Sequence, residues 1–368
     1  MKIEEILTWK ETIELTRPYA ISSRSMSAVD LFFVRIMTDT GHEGLGAGSP
    51  AEEVTGESPD STAAELEEME SGLLIGEDPR HLGTLCRRLR EELGATPAAH
   101  AALDIALYDL FCRIVEVPLV ELLGRSHTSL PTSITIGIKS VEESLAEAEE
   151  YLARGFRSLK VKVGRSIDEE IEMLHRLRER VGKDIQIRVD ANQGYDLEET
   201  KRLWLEQGRL HLELIEQPLS AETLTELRTL PEDLRRLVAA DESLHEASDA
   251  ARLAQPPAVC GILNIKLMKC GGVSPALAIG QVAAATGLHL MWGCMDESVI
   301  SISAALHAAF ACPQTRYLDL DGSLDLARDP AKGGFTLKDG ELRTLDKPGL
   351  GVTLSGPTWV LCGESIDA

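Results

Sequence analysis

Two lysines stand one residue apart in a stretch that otherwise reads as a buried strand, "RSLKVKVG" at 157–164. Successive side chains of a strand point to opposite faces, so Lys160 and Lys162 project to the same side. Ammonium groups this close repel each other, and a second cation nearby lowers the pKa of a lysine, which makes it a better base. The spacing therefore predicts a functional pair, with Lys162 as the base and Lys160 as the cation beside it.

Three carboxylates stand at the ends of three successive predicted strands. They are Asp190 in "VDANQG", Glu216 in "IEQPL" and Asp241 in "ADES". Neighbouring strand ends lie close together, so we expect the carboxylates to converge, and clustered carboxylates repel unless a cation joins them. Oxygen ligands suit Mg²⁺, which predicts one magnesium ion held by these acids. Asn192 shares a face with Asp190, and it is either an outer ligand that supports the ion or part of an Asx turn in "ANQG".

These residues belong to a longer repeat of short apolar strands and helical stretches that begins near Leu130. The polar residues at the strand ends recur about every 25–28 positions, at Thr135, Lys162, Asp190, Glu216, Asp241, Lys266, Cys294 and Asp321. A steady strand–helix period of about this length predicts an α/β barrel of the (β/α)8 TIM type, whose catalytic residues lie at the C-terminal ends of the strands. A doubly wound open sheet is the alternative. Eight repeats without a glycine-rich phosphate loop after the first strand favour closure.

Lys266, in "NIKLMKCGG", follows the sixth predicted strand. Strands two and six are roughly opposite in a closed barrel, so Lys266 faces Lys162 with the acidic residues between them and to one side. Two lysines that flank a metal ion are typical of paired acid/base groups. Mg²⁺ and Lys160 would both lower the pKa of Lys162.

The first part of the chain has a different pattern. Residues 1–55 predict strands around a polar loop, "TRPYAISSRSMS" at 16–27, and residues 62–123 predict helices, among them "AAHAALDIALYDLFCRIV". Strands followed by helices indicate a small α+β domain. We therefore expect this domain over 1–125, the barrel over 126–322, and a C-terminal segment over 323–368.

The bulk properties narrow the class of partner. The formal net charge of −23 argues against nucleic acid and anionic membranes, and it favours metal ions or basic small molecules. Seven scattered cysteines without a CxxC pair indicate free thiols in a reducing compartment. The sequence shows no signal peptide and no transmembrane segment. We expect a soluble cytoplasmic protein, and a homo-oligomer.

The motif set resembles the muconate-lactonising-enzyme subgroup of the enolase superfamily over nearly the whole chain. The motifs are "KVK" at 160–162, "DAN" at 190–192, "EQP" at 216–218, "DES" at 241–243 and Lys266 in "NIKLMKCGG". The resemblance implies a (β/α)7β barrel with an N-terminal capping domain that the C-terminal segment completes. It also implies that Mg²⁺ binds a substrate carboxylate, that Lys160 touches this carboxylate, and that Lys162 and Lys266 act on opposite faces through an enediolate. Proton removal on one face and return on the other inverts a stereocentre.

Within the subgroup, "YLDLDG" at 317–322 resembles the dipeptide epimerases, including L-Ala-D/L-Glu epimerases. In those enzymes an Asp-x-Asp pair binds the free ammonium group of the substrate, which would assign Asp319 and Asp321. The neighbouring "MWGCMDES" implies that Cys294 lines the same pocket, and Thr135 is expected to bond the peptide. Arg24 is the expected substrate contact of a lid loop at 21–27, and a second lid segment is expected near 49–58.

The sequence leaves the substrate side chains open. Asp296, two residues after Cys294, and the two lid residues Glu52 and Glu53 favour a dipeptide that carries Lys or Arg. Arg24 favours an acidic residue such as Glu. Alternatives within the subgroup are an N-acyl amino acid racemase, an o-succinylbenzoate synthase and a cycloisomerase, although the Asp-x-Asp pair suits an ammonium group that most of these substrates lack. A catalytically silent binding module is the alternative from another class.

Overall fold

The computed structural model describes residues 1–20 and 25–355. The chain begins with an antiparallel sheet of three strands. These are β1 (Ile3–Ala20), β2 (Ser25–Thr38) and β3 (Glu43–Gly48), in the order β1-β2-β3. The prediction of a polar loop over 16–27 was wrong at both ends. The strand continues through Ala20 and the next begins at Ser25, because antiparallel pairing carries the polar residues along the ladder, as far as the pair Ala20 and Ser25.

Four helices follow, and the second and the fourth of them pack against this sheet. They are α1 (Glu52–Thr55), α2 (Pro59–Met69), α3 (Leu82–Glu92) and α4 (Pro97–Ile114), with a 3₁₀ turn at Pro79–His81. Helix α4 lies directly against β3. A Cβ atom on Gly46 would stand 1.8 Å from the carbonyl oxygen of Ala102, so only glycine allows this close approach. The predicted helical stripe in this region is confirmed.

The rest of the described chain is dominated by eight parallel strands in sequential order, β5 to β12. A short helix α5 (Leu119–Leu123) and strand β4 (Leu130–Pro131) precede them. The barrel strands are β5 (Ile134–Ile136), β6 (Ser158–Lys162), β7 (Gln186–Asp190), β8 (Leu212–Glu216), β9 (Val238–Ala240), β10 (Ile262–Ile265), β11 (His289–Trp292) and β12 (Thr315–Leu318). The Ser133 amide donates to the Leu318 carbonyl at 3.0 Å, which joins the first strand to the last. The alternative of an open doubly wound sheet was therefore wrong.

Helices connect the barrel strands and form the outer layer. They are α6 (Val141–Ala153), α7 (Ile167–Val181), α8 (Leu197–Leu205), α9 (Gln207–Leu210), α10 (Glu232–Leu237), α11 (Ala247–Ala254), α12 (Leu267–Cys270), α13 (Val273–Thr286) and α14 (Val299–Ala311), with a 3₁₀ segment at Leu224–Thr229. Seven helical connections between eight strands give the (β/α)7β arrangement. No helix in the described ranges is long and apolar enough to cross a membrane.

Strand alternation decides which side chains of β6 face the barrel interior. Leu159 and Val161 are buried with residues of the surrounding helices, such as Leu174 of α7. Since neighbours on a strand point to opposite faces, Lys160 and Lys162 point into the barrel. The hydrophobic effect acting on the two apolar residues therefore fixes the direction of the two lysines.

The described part of the C-terminal segment returns to the first domain. It contains β13 (Ala331–Gly333), β14 (Phe335–Lys338), β15 (Glu341–Thr344) and β16 (Val352–Leu354). The Ala327 amide donates to the Glu14 carbonyl at 2.8 Å, and the Arg113 guanidinium donates to the Val352 carbonyl at 3.0 Å. The segment is therefore bonded to both the sheet and helix α4. The exact boundaries at 125/126 and 322/323 stay a prediction.

Helix α4 also joins the first domain to the barrel through a buried acid. Asp104 Oδ1 accepts the backbone amides of Val273 at 2.6 Å and Ser274 at 3.2 Å, which are the first residues of α13. Burial raises the pKa of Asp104 to about 6. A Cβ on Gly272 would stand 2.6 Å from Asp104 Oδ1, so glycine is required at this joint.

Candidate active site

The predicted chemical residues lie together at the C-terminal end of the barrel. Lys162 is paired in register with Asp190 on the neighbouring strand, and Asp190 with Glu216 on the next. Asp241 lies just beyond β9, and Lys266 just beyond β10. The three acids thus form an arc along three consecutive strands, with one predicted base at each end of the arc.

Lys160 is a buried cation enclosed by three carboxylates. Its Nζ lies 2.7 Å from Asp319 Oδ2, 2.9 Å from Glu216 Oε2 and 3.1 Å from Asp190 Oδ2, and its side chain is 3% exposed. Burial by itself would lower the pKa of Lys160, but the three carboxylates outweigh burial and hold the pKa well above its ordinary value. The same carboxylates compensate the repulsion between Lys160 and Lys162, which explains how the strand tolerates both.

Lys162 stands at one end of the arc and is more accessible. Its Nζ donates to Asp190 Oδ2 at 2.7 Å and to Asn192 Oδ1 at 3.0 Å. The backbone amide of Asn192 donates to Asp190 Oδ1 at 2.9 Å, and the residue has a positive φ of 43°. Asn192 therefore bonds both the acid and the lysine, which is the geometry of a residue that orients a ligand.

Lys266 stands at the other end of the arc and bonds the third acid. Its Nζ donates to Asp241 Oδ2 at 2.7 Å. Burial by itself would lower the pKa of Lys266, but Asp241 more than offsets this effect and raises the pKa. Each predicted base is thus paired with a different acid, Lys162 with Asp190 and Lys266 with Asp241.

The acids at the two ends of the arc differ in charge state from the middle one. Burial by itself raises the pKa of Asp190 and Asp241, but the adjacent lysines lower both pKa values below the ordinary range. Burial raises the pKa of Glu216, and the negative charge of Asp190 raises it further. The middle carboxyl group therefore keeps its proton more readily than the two at the ends, and a bound cation would favour its ionised form.

The donor set of the arc fits Mg²⁺, although the acids are not gathered around one point. No three histidine, cysteine or acidic side chains within the described residues are close enough to enclose a metal ion. Asp190 and Glu216 converge on Lys160 Nζ, at 3.1 and 2.9 Å, whereas Asp241 faces Lys266, so the assignment of all three acids to one ion stays a prediction. All three acids nevertheless offer hard oxygen donors, and the buried Glu216 Oε2 accepts no hydrogen bond of acceptable geometry. Asp190, Glu216 and Asp241 are therefore the residues that would hold the ion.

The Asp-x-Asp pair lies beyond the end of β12, on the other side of Lys160. Both oxygens of Asp319 have partners, Ser133 Oγ at 2.6 Å and Lys160 Nζ at 2.7 Å. Asp321 Oδ2 accepts the Thr135 backbone amide at 2.8 Å. Burial, and then the charge of Asp319, raise the pKa of Asp321 to about 7. Among the contacts described, Asp319 is thus bonded to a cation and Asp321 is not.

Cys294 lies beside the acid pair, in the loop after β11. Its Sγ lies 3.2 Å from the Asp319 carbonyl, accepts the Gly322 amide at 3.3 Å, and is 3.9 Å from Asp321 Oδ1. Burial and the acidic neighbours raise the pKa of Cys294 well above its ordinary value. A neutral thiol in this position is a wall of the pocket and a poor nucleophile.

The structure describes the second of the two predicted lid segments, and only the end of the first. Arg24 and the rest of 21–24 lie outside the described residues. In the second segment, Ser49 Oγ donates to the Asp296 carbonyl at 2.8 Å, which attaches the start of the segment to the loop after β11. Glu52 and Glu53 are exposed on helix α1.

Sequence reasoning missed four polar residues that surround the site. Asn264 Nδ2 donates to Glu216 Oε1 at 2.9 Å, and Lys269 Nζ donates to Asp241 Oδ1 at 2.5 Å. The other two are Glu242 and Glu297, and burial raises the pKa of each to about 7. Asn264 could have been found, since it lies two residues before Lys266 and the extended chain points both side chains to the same face. The other three lie in loops or in a short helix, where the periodicity of the sequence does not predict the direction of a side chain.

Comparison with known proteins gives a consistent set of relatives. Residues 3–124 match the mandelate racemase/muconate lactonizing enzyme N-terminal domain, and residues 143–358 match the enolase C-terminal domain-like family. The chain is 55% identical over 352 residues to the L-Lys-D/L-Arg epimerase of Methylococcus capsulatus, covering 96% of this chain and 99% of the relative. It is 34% identical over 354 residues to the L-Ala-D/L-Glu epimerase of Clostridium acetobutylicum, covering 96% and 99%.

Comparison with solved structures also finds a dipeptide epimerase. The crystal structure of the dipeptide epimerase from Methylococcus capsulatus, complexed with Mg and the dipeptide L-Arg-D-Lys, matches with a TM-score of 0.94. The two chains are 55% identical, and the match covers 96% of this chain and 100% of the other.

Proposed function

The chain belongs to the mandelate racemase/muconate lactonizing enzyme family of the enolase superfamily, and from this premise we propose that it is a Mg²⁺-dependent dipeptide epimerase whose substrates carry cationic side chains. The reaction inverts the α-carbon of the C-terminal residue. The observation that carries the proposal is the arc of three carboxylates with Lys162 at one end and Lys266 at the other.

The two lysines divide the proton transfers between them. One ammonium or amine group faces each side of the α-carbon, so that one lysine removes the proton and the other returns it on the opposite face. Lys160 lies between them, where its charge meets the substrate carboxylate and the negative charge that develops on it. When bound by Asp190, Glu216 and Asp241, Mg²⁺ supplies a Lewis acid that makes the α-proton more acidic.

The acid pair after β12 fits the free amino end of a dipeptide. Asp319 is bonded to Lys160 and Ser133, whereas Asp321 holds a charge that a substrate ammonium group can compensate. A substrate whose amino group is acylated has no such charge. This argues against the N-acyl amino acid racemase, the cycloisomerase and the o-succinylbenzoate synthase.

Cationic side chains on the dipeptide suit the remaining acids of the barrel mouth. Asp296 lies in the loop after β11, next to the buried Glu297, and Glu52 and Glu53 are exposed on the attached helix α1. Complementary charge at a partly closed mouth selects partners by excluding those of like charge. The Methylococcus relative is named for Lys and Arg, which supports the same preference. The opposite reading, in which Arg24 selects Glu, concerns a residue outside the described ranges.

The test compares kcat/KM for L-Lys-L-Arg, L-Ala-L-Leu and L-Ala-L-Glu, with α-proton exchange in D₂O followed by NMR. We expect the cationic dipeptide to be preferred, and the Asp296→Asn variant to lose part of that preference. A binding module would show no exchange with any dipeptide. If L-Ala-L-Glu were the best substrate and Asp296→Asn left the ranking unchanged, the cationic preference would be wrong and Arg24 would set the specificity.

The oligomeric state and the cellular location remain proposals as well. We infer a cytoplasmic homo-oligomer, and the net charge of −23 argues against nucleic acid as a partner. Light scattering on the purified protein measures the oligomeric state directly, and a single monomeric species would contradict that part of the proposal.

A further inference from the structure

Lys269 is a buried lysine next to the arc of carboxylates, and all of its hydrogen-bonding capacity is directed at the protein. Its Nζ donates to Asp241 Oδ1 at 2.5 Å, to the Asp241 backbone carbonyl, and to the Asn264 carbonyl at 3.5 Å. Its side chain is 1% exposed. An ammonium group has three donors, so Lys269 has none left for a substrate.

Asp241 is shared between two lysines, with one oxygen for each. Oδ1 faces Lys269, and Oδ2 faces Lys266 at 2.7 Å. Because Lys269 also bonds the backbone carbonyl of the same residue, it restrains both the backbone and the side chain of Asp241. The direction of Oδ2, and with it the position of Lys266, therefore depends on Lys269.

The other end of the arc does not depend on Lys269 in this way. Lys162 bonds Asp190 and Asn192, neither of which contacts Lys269 among the hydrogen bonds and ion pairs described. A change at position 269 should accordingly act on the two faces of the substrate unequally.

Helix α12 holds Lys269 in place from the side of the first domain. Its C-terminal residue is followed by Gly271, where a Cβ would stand 2.4 Å from His100 Nδ1 of α4. The Lys269 amide donates to the Lys266 carbonyl at 3.0 Å, which couples the two lysines through one short turn. The packing of α4 on this turn leaves Lys269 little freedom to move away from Asp241.

We propose that Lys269 is a positioning residue: it holds Asp241 so that Lys266 can act on its face of the substrate. The inference rests on the proposed epimerase function. Lys269 makes no contact with substrate in this role. Its loss should slow α-proton exchange of the diastereomer served by Lys266 more than that of the diastereomer served by Lys162.

A cavity beside Lys269 allows the missing group to be supplied from solution. The cavity has a volume of about 440 Å³, and Lys269 is one of its lining residues, together with Thr55, His100 and His245. Truncation to alanine removes three methylene groups and the ammonium group beside this cavity and so leaves additional space there. n-Propylammonium has the same atoms and is small enough for the enlarged space.

The first experiment measures α-proton exchange in D₂O at saturating Mg²⁺, separately for the two diastereomers of a cationic dipeptide. The reference variants Lys162→Ala and Lys266→Ala identify which diastereomer each lysine serves. In Lys269→Met, which replaces the four-carbon stem by a chain of the same length and removes the ammonium group, we expect exchange on the Lys266 face to fall by about 10–100-fold, the usual cost of losing a residue that orients a ligand. Exchange on the Lys162 face should change much less. A fall by the same factor on both faces would overturn the proposal.

The second experiment needs no activity and no metal. Thermal unfolding of the full chain is measured in excess chelator with and without n-propylammonium chloride, and with tetramethylammonium chloride as a control for ionic strength. We expect propylammonium to raise the Tm of Lys269→Ala and to leave the wild type and Lys269→Met unchanged. If Lys269→Ala responded no more than the wild type, the placement of Lys269 would be refuted.

The two experiments separate failure of this inference from failure of the proposed function. If the wild type exchanged no α-proton of any dipeptide, the epimerase function would be wrong, while the thermal experiment would still decide whether Lys269 is the buried counterion of Asp241. If the wild type exchanges on both faces and Lys269→Met shows no inequality, only the positioning role is wrong.

Discussion

Replacing Asp321 by Asn removes one negative charge from the proposed ammonium site and keeps its shape. The side chain is buried, and Oδ2 accepts the Thr135 amide at 2.8 Å. An asparagine can still accept this hydrogen bond through its amide oxygen. The variant is therefore expected to fold, so that its effect reports on substrate binding.

The magnitude follows from the burial of the site. Removing one partner of a buried, hydrogen-bonded charge pair typically costs about 2–5 kcal/mol. Since about 1.4 kcal/mol corresponds to a factor of ten, kcat/KM for a dipeptide should fall by about 30–4000-fold. Acetylation of the α-amino group removes the ammonium group that Asp321 is proposed to bind, so the low kcat/KM of an Nα-acetylated dipeptide should be the same in both proteins.

The pH dependence gives a second, independent measurement. Burial and Asp319 raise the pKa of Asp321 to about 7, so the carboxyl group is protonated, and unable to pair with an ammonium group, at lower pH. Because kcat/KM reports on ionisations of the free enzyme, that of the wild type should decline as the pH falls through about 7. The component of the decline that arises from Asp321 should be absent in Asp321→Asn.

The assay is exchange or epimerisation of free and N-acetylated L-Lys-L-Arg, measured by NMR between pH 5.5 and 9. Asp319→Asn is the matched control, since it makes the same change in a residue that is bonded to Lys160. The assignment of Asp321 to the ammonium group would be refuted if Asp321→Asn kept the wild-type kcat/KM for the free dipeptide. It would also be refuted if the variant lowered kcat/KM for the free and the acetylated dipeptide by the same factor.

Three further predictions concern the bases, the metal and the joint between the domains. Lys162→Ala and Lys266→Ala should each abolish epimerisation, while one of them still exchanges the α-proton of one diastereomer in D₂O; full activity in either would contradict two-base chemistry. Chelator should remove activity and Mg²⁺ should restore it, and Glu216→Ala should bind Mg²⁺ much more weakly by calorimetry; unchanged affinity would mean that the acids are misassigned. Burial raises the pKa of Asp104 to about 6, so its favourable contribution is largest below about pH 4 and is lost as the pH rises through about 6. Asp104→Asn should therefore gain up to about 3 kcal/mol of stability relative to the wild type between pH 4 and 7 in urea unfolding, and a constant difference would contradict the buried charge.

The barrel could be predicted from the sequence because its period is encoded locally. Each short apolar strand and each amphipathic helix is recognisable by itself, and the even spacing of strand-end residues such as Asp190 and Glu216 left few alternatives. The antiparallel sheet was harder. The polar residues around Ala20 and Ser25 have no apolar signal, and only their pairing across the ladder makes them strand.

Which residues could do chemistry, and which face of a strand they share, follows from local patterns in the sequence. Lys160 and Lys162 follow from alternation along one strand, and the two end residues of the arc, Asp190 and Asp241, follow from the repeat.

The partners of each charge, by contrast, depend on how the elements pack in three dimensions. Closure of the barrel brings Asp319 Oδ2 to 2.7 Å from Lys160 Nζ, although the two residues are 159 positions apart in the sequence. The single turn of helix α12 brings Lys269 Nζ into hydrogen-bonding contact with Asp241. Such contacts depend on distances between elements that are far apart in the chain or on the direction of a short turn, and neither periodicity nor composition contains that information. The spacing of residues thus specifies the available groups, while packing sets which of them are paired and which remain to meet a substrate.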